Sequence, residues 1–229
     1  MLLCSPRSRR VRRLAPLLLS IALAVPAFLA TSTAGAATVD FFCITNNDAG
    51  DCATGEAQLS AEAIDVGGNM VLFEITNLGP TASIVTDVYF DDGTLLGIAG
   101  LIDEDDDYLG SFGDPDVDFS QDAAPPNLPG GNAVNFQVTA GFLADSDPPP
   151  AANGIGPGEI LGVVFNLQGG GTFQDIVDEL TDGRLRIGLH VQGFDGGGSE
   201  SFVNNPVPEP GTALLLGLGL AGLGARRRR

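Results

Sequence analysis

The 229-residue chain has no lysine and no tryptophan, a single histidine, two tyrosines and three cysteines. Each shortage removes a class of function. Without lysine there is no phosphate loop of the Gly-x-x-x-x-Gly-Lys kind. The glycine run FDGGGSES (residues 194–201) also lacks the helix that should follow one, so it reads as a flexible turn. His190 stands alone in the run RLRIGLHVQGF, and no Gly-x-Ser-x-Gly elbow accompanies it, so the reading is that the chain is not an enzyme. Carboxylate pairs suited to glycoside hydrolysis exist by sheer abundance and carry no information. Tyr89 and Tyr108 are the only tyrosines, which leaves little from which to build an aromatic platform for sugars.

Basic charge is scarce where it would count. Of the 11 arginines, five lie between Arg7 and Arg13 and four are Arg226, Arg227, Arg228 and Arg229, leaving Arg184 and Arg186 in the interior. Residues 37–205 hold 28 of the 29 acidic residues, a formal balance of −26. Such a body repels phosphate backbones, which excludes nucleic acid as a partner. It also repels anionic polysaccharide unless cations bridge the two, and it favours solubility.

Both termini carry arginine-flanked apolar runs. Arg7, Arg9, Arg10, Arg12 and Arg13 precede LAPLLLSIALAVPAFLA (residues 14–30), and Ala34-Gly35-Ala36 supplies small residues for a signal peptidase. Residues 1–36 therefore read as a signal peptide, with the mature chain starting at Ala37 or Thr38. The twin-arginine pairs lack the usual continuation, and ordinary secretion is favoured. Cys4 precedes the apolar run, which rules it out as a lipid-attachment site. At the other end, the 14 residues 212–225 would make a helix of about 21 Å, against a hydrocarbon core of about 30 Å. That is a short span, closed on the cytoplasmic side by the four arginines.

The tail VPEPGTALLLGLGLAGLGARRRR (residues 207–229) combines Pro208-Glu209-Pro210, the short apolar segment and terminal arginines in that order. It resembles the PEP-CTERM sorting signal of exported proteins in Gram-negative bacteria, with the signal occupying residues 206–229. The resemblance implies recognition by a membrane-embedded processing enzyme, an exosortase, and delivery to the cell envelope, cell surface or an exopolysaccharide-rich extracellular matrix. Anchoring by the tail would be transient or lasting. The segment ELTDGRLRIGLHVQGFDGGGSESFVN (residues 179–204) is similar to uncharacterised PEP-CTERM proteins and brings no activity with it.

Between the ends, residues 37–205 suffice for one domain. Period-two alternation and β-branched runs predict strands over 38–45, 57–65, 70–77, 82–90, 94–101, 133–142, 159–167 and 184–194, with 70–77 and 82–90 forming a hairpin. In the last of these, Leu185, Ile187, Leu189 and Val191 face one way and Arg184, Arg186, His190 and Gln192 the other. One short helix is expected after Thr172, with Asp175 completing a capping box and Phe173, Ile176, Val177 and Leu180 on one face. The fold class is all-β, an antiparallel sandwich or jelly-roll-like domain with one short helix and no internal repeat.

Two constellations remain. Cys43 and Cys52, the pair left once the leader is gone, are expected to form a disulfide in an exported chain. The loop DEDDDYLGSFGDPDVDF presents Asp103, Asp105, Asp107, Asp114, Asp116 and Asp118, hard oxygen ligands of the type calcium uses. The EF-hand pattern fails, since counting from Asp103 the sixth position is Tyr108 and the twelfth Asp114. A solvated acidic loop explains the same residues. No cofactor is called for, with calcium kept as the one candidate. The leading reading is thus an exported structural protein of the surface or matrix. Its expected partners are signal peptidase and an exosortase-type enzyme, with extracellular polysaccharide as a further candidate. A calcium-dependent or carbohydrate-binding module is the alternative, and a matrix-acting hydrolase comes last.

Overall fold

The computed structural model describes residues 35–92, 95–103, 113–122, 127–138 and 143–204. The chain divides into Met1–Thr33, which lies outside the described residues, and Ala34–Arg229. The elements of the second unit run β1 (Ala36–Cys43), α1 (Ala49–Gln58), β2 (Leu59–Gly67), β3 (Met70–Asn77), β4 (Ile84–Asp92), β5 (Leu95–Ile102), β6 (Phe119–Asp122), a 3₁₀ turn (Gly131–Val134), β7 (Leu143–Ser146), α2 (Pro150–Asn153), β8 (Ile160–Leu167), α3 (Phe173–Asp182), β9 (Leu185–Gln192) and β10 (Ser199–Asn204).

All strand pairs are antiparallel, and ten strands form one ribbon in the order β5-β8-β3-β2-β1-β10-β9-β4-β7-β6. The ribbon folds at β1. Residues 36–40 of that strand pair with β2, whereas Phe41, Phe42 and Cys43 pair with β10, so one strand serves both layers. The far edges also approach each other, because the Phe119 N–H at the start of β6 donates to Asp103 Oδ2 just beyond β5, at 3.0 Å. The all-β antiparallel class expected from alternation is the class observed, in the form of a nearly closed sandwich.

Alternation sets which side chains fill it. Val39 and Phe41, Ala61 and Ala63, Val71, Phe73 and Ile75, and Leu161, Val163 and Phe165 point inward from the first layer. Val88 and Phe90, Leu185, Ile187, Leu189 and Val191, and Phe202 answer from the second. At the centre Phe73, Phe90 and Phe165 meet edge-on, with ring centroids 4.6 to 5.8 Å apart. This is the tilted geometry that aromatic quadrupoles prefer.

The two mouths of the sandwich are closed by helices. Thr172 and Asp175 form the capping box of α3, and Ile176 and Leu180 are fully buried. Gly183, in the left-handed region at φ 78°, then turns the chain into β9. At the other mouth α1 starts on Asp48, whose carboxylate accepts from Gly50 N at 2.7 Å and Asp51 N at 3.2 Å. Gly55 of α1 lies against the ring of Phe202, so closely that a Cβ there would sit 2.1 Å from Phe202 Cζ.

Several expectations need correction. β3 and β4 are not a hairpin, because β3 pairs with β2 and β8 while β4 pairs with β7 and β9. Their connection instead crosses between layers and is tied down from inside. Buried Asn77 donates to the Ser83 and Ile155 carbonyl oxygens at 2.9 and 3.3 Å, and Gln58 Nε2 reaches Asn77 Oδ1, the Thr81 carbonyl and Ser83 Oγ. The strand expected over 133–142 is absent from the described part of that range. Residues 131–134 form a 3₁₀ turn, and Asn135 takes a left-handed φ of 53° that ends it. The alternating side chains there cover a sheet rather than join one: Phe136, with Leu128, packs on the outer face of the second layer against Tyr89, Leu143 and Val203. Gly188 makes room, since a Cβ would lie 2.7 Å from Leu128 Cδ2. Finally, the chain has three α-helices among the described residues rather than one, and the stretch 194–201, expected as a flexible turn, gives way at Ser199 to strand β10.

The outer face of the first layer carries an unfavourable pair. Glu62 and Glu74 are direct cross-strand partners. Burial, with the Glu62 charge adding to it, pushes the Glu74 carboxyl above its ordinary value. A carboxyl that holds its proton more tightly when folded favours the native state as pH falls through the raised pKa, and opposes it once ionised. Glu74→Gln is therefore expected to raise the melting temperature at pH 7. The gain should shrink in melts run towards pH 4.

Candidate functional site

The chain leaves the body through β10, a central strand held between β1 and β9. Its last residue, Asn204, is buried, and its side-chain carbonyl accepts from Ile187 N at 2.6 Å. Asn204 faces Phe41 on β1, and Val203 faces Gly188 on β9. Both interior arginines lie just past this exit. Arg186 donates to Asp91 Oδ2 at 2.5 Å and to the carbonyls of Val134 and Asn135 at 2.8 and 2.6 Å, with its guanidinium 5.2 Å from the centre of the Phe136 ring. Arg184 binds Glu179 and Asp182 at the C-terminal end of α3, at 2.9 and 2.8 Å. Each cation is thus neutralised locally and fastens a turn to the sheet. Pro208, Glu209, Pro210 and Arg226, Arg227, Arg228 and Arg229 lie outside the described residues.

The opposite mouth holds the cysteines. Cys43, the last residue of β1, and Cys52 in α1 form a disulfide with Cα atoms 5.4 Å apart. Loop-closure entropy for a separation of nine residues predicts that Cys43→Ser/Cys52→Ser lowers unfolding free energy by about 3 kcal/mol, measurable by urea titration. Glu200 lies beside the pair and is 1% exposed. Its carboxylate accepts from Asn47 N at 3.1 Å, Asp48 N at 2.6 Å and the Thr45 hydroxyl. Among the described residues, Cys43, Cys52 and Glu200 are the one group of three ligand-type side chains close enough to share a metal ion. Both sulfurs are committed to the disulfide, so the arrangement is an anchor for the 44–48 turn and not a metal centre.

The acidic loop is distributed over different environments. Asp103 is turned into the body, 2% exposed, against Phe119 N. Asp105 and Asp107 lie outside the described residues. Asp114 Oδ1 accepts from Asp116 N at 3.3 Å, while Val117 and Phe119 anchor the segment in the core. The backbone of Asp118 joins that of Asn153 and Asp147. Asp114 and Asp116 also act on Glu159: burial pushes its carboxyl up, the Gly156 N–H bond at 2.5 Å opposes this, and the two aspartate charges add to the rise.

His190 belongs to a row that sequence reading did not assemble. Register places Ser201, His190, Asp87 and Asp145 side by side across β10, β9, β4 and β7. The His190 Nδ1 and Ser201 Oγ share a hydrogen bond of 3.3 Å, and Asp87 accepts from Thr86 at 2.8 Å and Tyr89 at 3.3 Å. Burial lowers the His190 pKa, with Asp87 pulling it partly back, so the ring is neutral at pH 7. The residue types are those of a nucleophilic triad, but Ser201 has no exposed surface and a substrate carbonyl has no route to its hydroxyl. The row acts as a cross-strand polar seam.

The tail is where known proteins speak. The family described as the PEP-CTERM protein-sorting motif matches residues 206–229. Comparison with curated proteins and with solved structures gives no match. The chain is therefore an antiparallel β protein of the exported class. It carries a PEP-CTERM sorting motif that begins two residues after its last strand, and this motif marks it for the cell envelope and for processing by an exosortase-type enzyme.

Proposed function

We propose that the folded body is a non-enzymatic structural protein of the cell surface or exopolysaccharide matrix, delivered there by signal peptidase at its leader and an exosortase at its tail. The observation that carries this reading is the sorting motif at residues 206–229, attached directly to an acidic body. The formal charge of −26 over residues 37–205 keeps copies apart and soluble, and lets divalent cations bridge them to anionic polysaccharide. Among the described residues Leu78 is the sole exposed large hydrophobic side chain, and Tyr89 is buried, so sugar stacking on an aromatic face has no support there.

Deleting residues 206–229 tests the reading. The truncated protein is expected in the medium and the full chain in the envelope or matrix fraction of its native cells. Equal distribution of the two would overturn the sorting role. Retention of the purified body on extracellular polysaccharide with millimolar calcium, lost on chelation, would support the cation-bridged matrix role.

A further inference from the structure

Both ends of the body meet the rest of the chain at the same mouth of the sandwich, the one closed by α3. β1 starts there, since Gly35, the residue before it in the uncleaved chain, lies against Phe173 at the start of α3: a Cβ on it would be 2.6 Å from the ring. It leaves there too. β10 runs from the α1 mouth, where Glu200 holds the 44–48 turn, towards Asn204, opposite Ile187. From Ile187, β9 continues back through Arg186 and Leu185 to Gly183 and α3.

The sorting motif has almost no tether. Between Asn204 and Pro208 the chain has three residues, which span at most about 14 Å in any conformation. From Ile187 back to Arg184, β9 covers about 10 Å of that on its own. Whatever path the chain takes, an enzyme that holds Pro208 is therefore kept within about 14 Å of Asn204, at the mouth that α3 closes. Asn204 cannot be drawn out to lengthen the tether without stripping a central strand that carries Phe202 and Val203 in two separate apolar clusters.

We propose that the α3 end of the body is the face met by the membrane-embedded enzyme that processes the tail. The contact surface consists of the exposed side of α3, with Gln174 and Asp178, and the neighbouring Arg184 turn. This rests on the exosortase reading above and goes beyond it: a tether this short brings an enzyme that holds Pro208 up to the mouth of the sandwich that α3 and the Arg184 turn close. The body is then part of the substrate and not merely its cargo, and the cut falls on the C-terminal side of Asn204.

The test is pulse-chase of the full-length protein in its native cells, reading the rate of tail removal by mass. Gln174→Arg/Asp178→Arg alters exposed positions on α3, and Asp195→Arg makes the same kind of change in the β9–β10 turn at the far mouth. Melting of the purified bodies checks that both variants fold. The α3 variant is expected to be processed more slowly by about five-fold, equivalent to about 1 kcal/mol of contact, with the Asp195 variant unchanged. A twelve-residue Gly/Ser spacer after Asn205, which adds roughly 19 Å of mean reach, uncouples the body from the tail and is expected to abolish the difference between the α3 variant and the wild-type body. Equal rates for both variants without the spacer would overturn the inference, as would a difference that the spacer leaves in place. A wild-type tail that is never removed would instead overturn the processing reading on which it rests.

Discussion

Phe90→Ala is expected to cost the body about 3–5 kcal/mol, the range for emptying a fully buried aromatic site. Phe90 comes from β4 in the second layer, and the two rings it touches, Phe73 and Phe165, come from β3 and β8 in the first. β4 pairs with β7 and β9, whereas β3 pairs with β2 and β8, so Phe90 faces the other two rings across the space between layers. What holds them is the contact of side chains, and the 4.6 Å approach of Phe90 to Phe165 is its densest part. Neighbours on strands cannot collapse into the gap without breaking register, so most of the cavity should persist. Phe90→Leu keeps much of the volume and should cost clearly less than Phe90→Ala, because a smaller cavity is left. Urea unfolding at matched m-values separates the two variants. If Phe90→Ala shifted the midpoint no further than Phe90→Leu, the layers would be held by something other than this cluster.

That cluster was legible in part. Alternation in MVLFEITN sets Phe73 on one face with Val71 and Ile75, and the run RLRIGLHVQGF gives the whole inner face of β9. What alternation cannot give is the partner strand. Two strands separated by a turn such as Asn77-Leu78-Gly79-Pro80 look like a hairpin, and whether the chain folds back or crosses over depends on contacts made far away in sequence. Here the deciding contacts are Gln58 and Ile155 on Asn77, 19 and 78 positions distant. For the same reason residues 133–142 read as a strand: Phe136 is apolar because it covers a sheet, and a covering loop has the composition of a strand without its pairing.

The site was legible in the opposite proportion. The sorting tail is a linear motif, recognised from the order of its residues over 206–229. Glycine-rich and acidic stretches carry almost none. The helix α1, AGDCATGEAQ, has too weak an apolar face for periodicity to reveal it. It exists because Asp48 caps it, the disulfide holds Cys52, and the glycine at 55 lets Phe202 sit against it. The acidic run around Asp103 looked uniform in sequence, yet it divides into an inward residue and outward ones once Phe119 N–H needs an acceptor.

Glu200→Ala is expected to be the other severe substitution, costing about 3 kcal/mol, because it removes the common acceptor of a set of hydrogen bonds. The carboxylate gathers three donors, the N–H groups of Asn47 and Asp48 and the Thr45 hydroxyl, and ties them to the buried start of β10. Asp48 is also the cap of α1, so loosening the 44–48 turn releases the helix that closes this mouth and bears on Phe202. Glu200→Gln discriminates charge from shape: its amide oxygen can still accept one N–H bond, but its NH₂ faces donors. An intermediate loss of about 2 kcal/mol is expected if the charge matters as well as the geometry. Hydrogen exchange gives the sharper readout. In Glu200→Ala the amides of Gly50, Asp51 and Cys52 should lose protection while those of α3, at the far mouth, keep theirs. Uniform loss across both helices would mean that Glu200 supports the sandwich as a whole, and that the α1 mouth is not a separately anchored unit.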